Sequence, residues 1–166
     1  MITLALKTVL FLVLIHVKNY LNLYSVIVVG HTHCGGAAAS LAAAQTPDFV
    51  PRVPITTVHS EPVNSPLNRW LEPLTLLAHS LQLCDTDEKA LDTLIEENVK
   101  AAVENLANTE TIINAWTKGT HKGQKVVIHG WNYDLGTGLL HDLHISRDES
   151  DLVKNKSLNL NAALLT

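Results

Sequence analysis

Val26-Ile27-Val28-Val29 runs into Gly30-His31-Thr32-His33-Cys34-Gly35-Gly36, and then into Ala37-Ala38-Ala39-Ser40-Leu41-Ala42-Ala43-Ala44. A β-branched apolar run, a glycine-rich polar stretch and a small-residue run predict three elements. They are a buried strand over about 25–30, a tight turn, and a helix over about 35–45. His31 and Cys34 then stand at the carboxyl end of a strand, where open α/β sheets bind ligands. An imidazole and a thiol three residues apart on such a turn can both reach one zinc ion. Gly35 and Gly36 let the backbone lie close to that ion. The spacing alone is weak evidence, and a buried Cys beside a hydrogen-bonded His in a plain turn is the competing reading.

Upstream, 8–17 is apolar apart from Thr8 and His16, and Lys7 and Lys18 bracket it with ten residues between them. A membrane span needs about 20. A signal peptide or anchor is one reading, but no small-residue cleavage site follows. A helix over about 3–22, buried against a sheet or a partner subunit, is the preferred one.

Downstream, Phe49 to Pro66 carries Pro51, Pro54, Pro62 and Pro66 without a period and reads as a long loop. Ser65 and Pro66 form an N-cap and first-turn pair opening a helix that runs through Leu81. Asp85 to Glu88 has the form of a capping box. Leu91, Leu94, Ile95, Val99, Ala102, Val103 and Leu106 then recur at helical spacing, predicting an amphipathic helix with one buried stripe. A short helix through Ile112, Ile113 and Trp116 stops at Gly119. A second strand is expected over 125–131 and a turn over 134–138. A third, edge strand is expected over 139–145, with Leu139, His141, Leu143 and Ile145 on one face. The tail ends in an apolar stretch, 158–165, that predicts a short docking helix.

One domain over 1–166 is expected, of α/β class, with a small, mainly parallel sheet, an antiparallel edge strand and flanking helices. Hydrophobic residues make up 46% and charged residues 17%, which excludes a disordered chain. A net charge of −4 gives no electrostatic reason to expect nucleic acid. Two cysteines, Cys34 and Cys84, are too few for a disulfide scaffold and fit a reducing, cytoplasmic setting. A mitochondrial address is the alternative, although 1–17 has neither Arg nor Ser.

Four segments together resemble the β-class carbonic anhydrases. They are the His31/Cys34 turn, Pro66-Leu67-Asn68-Arg69-Trp70-Leu71, Glu97-Asn98-Val99, and Gly130-Trp131-Asn132-Tyr133-Asp134-Leu135-Gly136-Thr137-Gly138-Leu139. The resemblance extends from about Val26 to Ser146. It implies reversible hydration of CO2 to bicarbonate at a zinc ion held by two Cys and one His. The metal there lowers the pKa of its bound water. His31 and Cys34 match the family's His and second Cys ligands, and Gly35 matches the glycine lining the CO2 site. The family works as dimers or larger assemblies, so a homo-oligomer is expected, with no membrane span.

The departure is large. The family's first zinc motif, Cys-x-Asp-Ser-Arg, supplies the other thiolate and a catalytic Asp–Arg pair, and nothing like it is present. Before His31 the chain has no Cys, Asp, Glu or Arg. The resemblance therefore implies a domain lacking its N-terminal part, with half a zinc site and no catalytic pair. Cys84-Asp85 is a poor substitute, because Asp85 is better explained as an N-cap. Without the missing strands, the strand at Val26 keeps an open apolar edge, so the chain is expected to associate, swap elements or cover the gap with its apolar N-terminal helix. Four readings follow: an enzyme, a non-catalytic subunit associating with itself or a full-length partner, a chain whose true start lies upstream, or a Cys34–His nucleophile.

Overall fold

A computed structural model describes residues 25–83, 89–118 and 126–152. The expectations over 3–22, at Cys84–Glu88, at Gly119 and over the apolar tail lie outside those residues. The chain order is β1 (Ser25–His31), α1 (Gly35–Ala44), α2 (Pro66–Ser80), α3 (Ala90–Ala107), α4 (Glu110–Lys118), β2 (Val127–Tyr133) and β3 (Leu140–Arg147).

The three strands form one mixed sheet in the order β1-β2-β3. β1 pairs with β2 in parallel, Val28 opposite Gly130 and His31 opposite Tyr133. β3 pairs antiparallel on the other side of β2. The α/β class and the antiparallel edge strand are as expected. Among the described residues the outer edge of β1 has no partner strand.

α3 is the pillar of the fold. Its stripe of Leu94, Ile95, Val99, Val103 and Leu106 is buried, as the helical spacing predicts. The C-terminal part of the stripe packs with Ile112, Trp116, Val126 and Ile128 under the sheet. The N-terminal part, Leu94 and Ile95, packs with Ala37 of α1 and Ala78 of α2. Trp116 donates its indole N–H to the carbonyl of Val126 at 2.8 Å, tying α4 to the start of β2.

Two glycines allow α3 to sit this close. A Cβ on Gly30 would lie 2.6 Å from Val99 Cγ2, and one on Gly130 would lie 3.0 Å from Val99 Cγ1. Val99 is buried, and a β-branched side chain in a helix has essentially one rotamer, so it cannot step aside. Gly30→Ala is therefore expected to destabilise the protein by about 1–3 kcal/mol through overpacking. A urea midpoint unchanged from wild type would contradict this contact.

The long loop is real but fastened. Ser65 caps α2, its hydroxyl accepting from the Asn68 N–H at 3.2 Å, with Pro66 in the first turn. Asn68, Glu72 and Thr75 then bind the segment before the helix. Ile55 N–H donates to Glu72 Oε2 at 3.1 Å, and the hydroxyls of Thr57 and Thr75 meet at 2.8 Å.

The strand boundaries differ from expectation. β2 ends at Tyr133 and β3 at Arg147, each two residues later than predicted. The register slips between Gly130 and Trp131, since Gly130 faces Ile145 while Trp131 faces Asp142. His144, at φ 56°, takes up the bulge. The slip is of two residues and keeps the face: Ile145 opposite Gly130 and His141 opposite Asn132 stay on one side of the sheet, where Leu143 and Ile145 pack on the core while His141, nearer the turn, is exposed.

Candidate metal centre

The turn from β1 into α1 carries His31 at one end and Cys34 at the other. His31 closes β1, and its ring is exposed. Its Nδ1 lies 3.0 Å from the carbonyl oxygen of Thr32. A carbonyl only accepts, so Nδ1 is the donor, and in the neutral ring the lone pair is then on Nε2. His33 takes a left-handed conformation at φ 56°, which reverses the chain direction. Cys34 is the N-cap residue of α1, extended at φ −66° and ψ 113°. Its carbonyl accepts the Ala38 N–H at 2.9 Å, while its thiol makes no capping bond and is half-buried against the α1–α2 cluster.

The hairpin holds this turn in place. Thr32 donates its N–H to the Tyr133 carbonyl at 3.0 Å, and its hydroxyl accepts the Leu135 N–H at 3.0 Å. The hairpin is in turn organised by Asp134. Its carboxylate accepts from the Thr137 hydroxyl at 2.7 Å and from the Gly136 N–H at 2.8 Å. The Thr137 hydroxyl first, then the Gly136 amide, hold the Asp134 carboxyl below the ordinary carboxylate value. A lowered pKa stabilises the folded turn above the ordinary aspartate value, and that contribution is lost as pH falls through the lowered value. An NMR titration is expected to show the Asp134 midpoint rising towards the ordinary value in Thr137→Ala. An unmoved midpoint would contradict the assignment.

The two glycines of the turn differ. A Cβ on Gly36 would lie 3.2 Å from Leu71 Cδ2 and 3.6 Å from Trp70 Cζ3, so this position packs tightly against α2. A Cβ on Gly35 would meet nothing within 4 Å, so open space adjoins that position. Asn132, opposite Gly30 in the sheet, is buried, and its Oδ1 has no hydrogen-bond partner among the described residues. Sequence reasoning placed Asn132 beyond the strand and missed this acceptor, for which a polar residue in a strand gives no signal.

Zinc fits the turn only in part. An imidazole with a free Nε2 and a thiol are suitable donors, but a zinc shell in a protein takes three or four. Among the described residues no group of three His, Cys, Asp or Glu converges anywhere. Cys84-Asp85 lies outside them. A cleft of about 200 Å³ beside the end of α1, lined by Asp48, Phe49, Arg52 and His59 among others, includes neither His31 nor Cys34. No described helix is long and apolar enough to cross a membrane.

Comparison with known proteins follows the same lines. A family model described as carbonic anhydrase matches residues 13–140. A carbonic anhydrase of Synechococcus elongatus is 28% identical over 131 residues, covering 79% of this chain and 42% of that protein. The chain thus spans less than half the length of this curated relative. Among solved structures, the Coccomyxa β-carbonic anhydrase in complex with acetazolamide superposes with a TM-score of 0.59 at 25% identity, over 81% of this chain and 53% of that one. The β-carbonic anhydrase of Aspergillus fumigatus gives 0.54 at 26%, over 80% and 54%. A tetrameric β-carbonic anhydrase of Sordaria macrospora shares the fold at 0.57 and 23% identity, over 86% and 62%. The strand, turn and helix that carry His31 and Cys34 lie within the matched residues, and the chain belongs to the β-carbonic anhydrase family.

Proposed function

We propose that residues 1–166 form one domain that carries half of a zinc site of the CO2-hydrating type. In this reading His31 and Cys34 are zinc ligands, and Gly35 leaves room for CO2. The chain by itself does not turn over CO2. One observation carries the proposal: a suitable imidazole and thiol share the turn at the carboxyl end of β1, yet no third donor joins them among the described residues. Two donors hold zinc poorly, and an incomplete shell cannot present a bound water in a defined position.

Stopped-flow CO2 hydration with a pH indicator tests the catalytic half of the reading. The purified chain with added zinc is expected to match the buffer rate. A zinc-dependent rate suppressed by acetazolamide, the compound bound to the Coccomyxa relative, would overturn it.

Association is the second reading, and the open edge of β1 favours it. Ile27 and Val29, on one face of β1, are 43% and 49% exposed, and the outer edge of β1 has no partner strand among the described residues. Exposed apolar edges recruit further strands. The partner in this reading is another copy or a full-length family member, with a tetrameric precedent in the Sordaria relative.

A further inference from the structure

The loop between α1 and α2 walls the cleft of about 200 Å³, at the end of α1 away from His31 and Cys34. Its lining combines a carboxylate, Asp48, a guanidinium, Arg52, and an imidazole, His59. Apolar lining comes from Phe49 and from Ala43 and Ile55, both buried. We propose that this cleft binds a free α-amino acid with a small apolar side chain. Arg52 takes the carboxylate, Asp48 takes the ammonium group, and the apolar lining takes the side chain. The proposal uses no residue of the half zinc site and does not depend on that reading.

The two charges carry the argument. Asp48 and Arg52 line the same small space, yet neither side chain makes a hydrogen bond or ion pair among the described residues. One open group of each sign suits a ligand that carries both signs. A plain anion would meet Asp48 and a plain cation would meet Arg52, and like charge facing like charge lowers affinity. The guanidinium offers the forked N–H donors that a carboxylate accepts in pairs. His59 can add a ring N–H to the same group.

Size and rigidity agree with this. A volume of 200 Å³ falls below the roughly 300–1,000 Å³ of sites for drug-sized ligands. It equals six to seven waters at about 30 Å³ each, which suits one amino acid of about valine's size. The walls are fastened before any ligand arrives. The Ile55 N–H donates to Glu72 Oε2 at 3.1 Å, and Thr57 is held by Asn68 and Thr75. The Phe49 ring lies 5.0 Å from the His79 ring of α2, centroid to centroid. The Phe49 N–H donates to the Thr46 carbonyl at 2.9 Å. A loop already held in place gives up little further freedom on binding.

The test titrates the isotope-labelled full chain with L-valine, N-acetyl-L-valine and L-valinamide, followed by NMR. The first derivative lacks the ammonium charge and the second lacks the carboxylate. L-valine is expected to shift the amides of residues 46–59 and to saturate at about millimolar concentration. Each derivative is expected to bind at least about 10-fold more weakly, the worth of one charge-assisted hydrogen bond. Asp48→Asn and Arg52→Gln are each expected to weaken L-valine by a similar factor. Both side chains are exposed, so the remaining spectrum should stay that of the folded chain. Either derivative binding as well as L-valine would overturn recognition by two charges. L-valine binding undiminished in both variants would overturn the roles of Asp48 and Arg52. Shifts confined to residues outside 46–59, or no saturable shift, would overturn the site itself.

Discussion

Asn68→Ala is expected to cost about 4 kcal/mol of folding stability, a large share of the roughly 5–15 kcal/mol typical of a domain. Asn68 is fully buried near the start of α2. Its Oδ1 accepts from the N–H groups of Thr57 at 3.0 Å and Val58 at 2.8 Å. Its Nδ2 faces the carbonyls of Val58, Glu61 and Pro62 at 3.0–3.3 Å. One side chain therefore acts as the backbone partner of a loop that has no strand or helix of its own. Truncation leaves two amides without acceptors, at about 1–3 kcal/mol each, and the loop around them loses its anchor. Asn68→Asp is not expected to rescue. It keeps the acceptor, but it faces three carbonyls with no donor and buries a charge. Urea unfolding followed by circular dichroism measures the effect as a shift in midpoint at constant slope. A loss below about 1 kcal/mol would mean that the loop is held by other means.

The second large effect concerns metal. Cys34→Ser and His31→Ala are each expected to weaken zinc binding by more than about 100-fold, since loss of an outer-shell partner alone costs about 10–100-fold. Stability without zinc should change little. His31 is exposed, its ring bonds among the described residues to the adjacent carbonyl alone, and the Cys34 thiol makes no cap bond. Competition with a chromogenic chelator measures the affinity. Equal affinity in wild type and both variants would remove the turn from the metal account.

The turn was legible because its signals are local. β-Branched Val26 to Val29, then the glycine-rich turn from Gly30 to Gly36, then a run of seven small residues around Leu41 leave one order of elements, and β1 and α1 lie within one residue of expectation. The Ser65-Pro66 start of α2 is equally local, and so is the α3 stripe. What escaped depends on distant partners or on backbone conformation. Asn68 reads as a polar residue in a first helical turn, and nothing nearby announces that residues 57–62 wrap around it. Gly30 and Gly130 are 100 positions apart in the sequence, and both are small because of Val99. The bulge at His144 was not foreseen, because a left-handed histidine has no sequence mark comparable to a left-handed glycine, although its two-residue slip leaves the face of β3 as the alternation predicts. Asn132 and Tyr133 look like turn residues, yet β2 continues through them.

The family resemblance was carried by the same local stretches, and the comparisons bear it out over residues 13–140. Residue types at the turn identify two donors, but a metal site is defined by convergence in space. Convergence of a third donor is what the described part of this chain lacks.

The most direct measurement is X-ray absorption at the zinc edge of the zinc-loaded chain, compared with Cys34→Ser. The account predicts a sulfur shell at about 2.3 Å and a nitrogen shell at about 2.0–2.1 Å in wild type, with the sulfur shell gone in the variant. A wild-type shell of nitrogen and oxygen alone, or a sulfur shell that survives in Cys34→Ser, would contradict it.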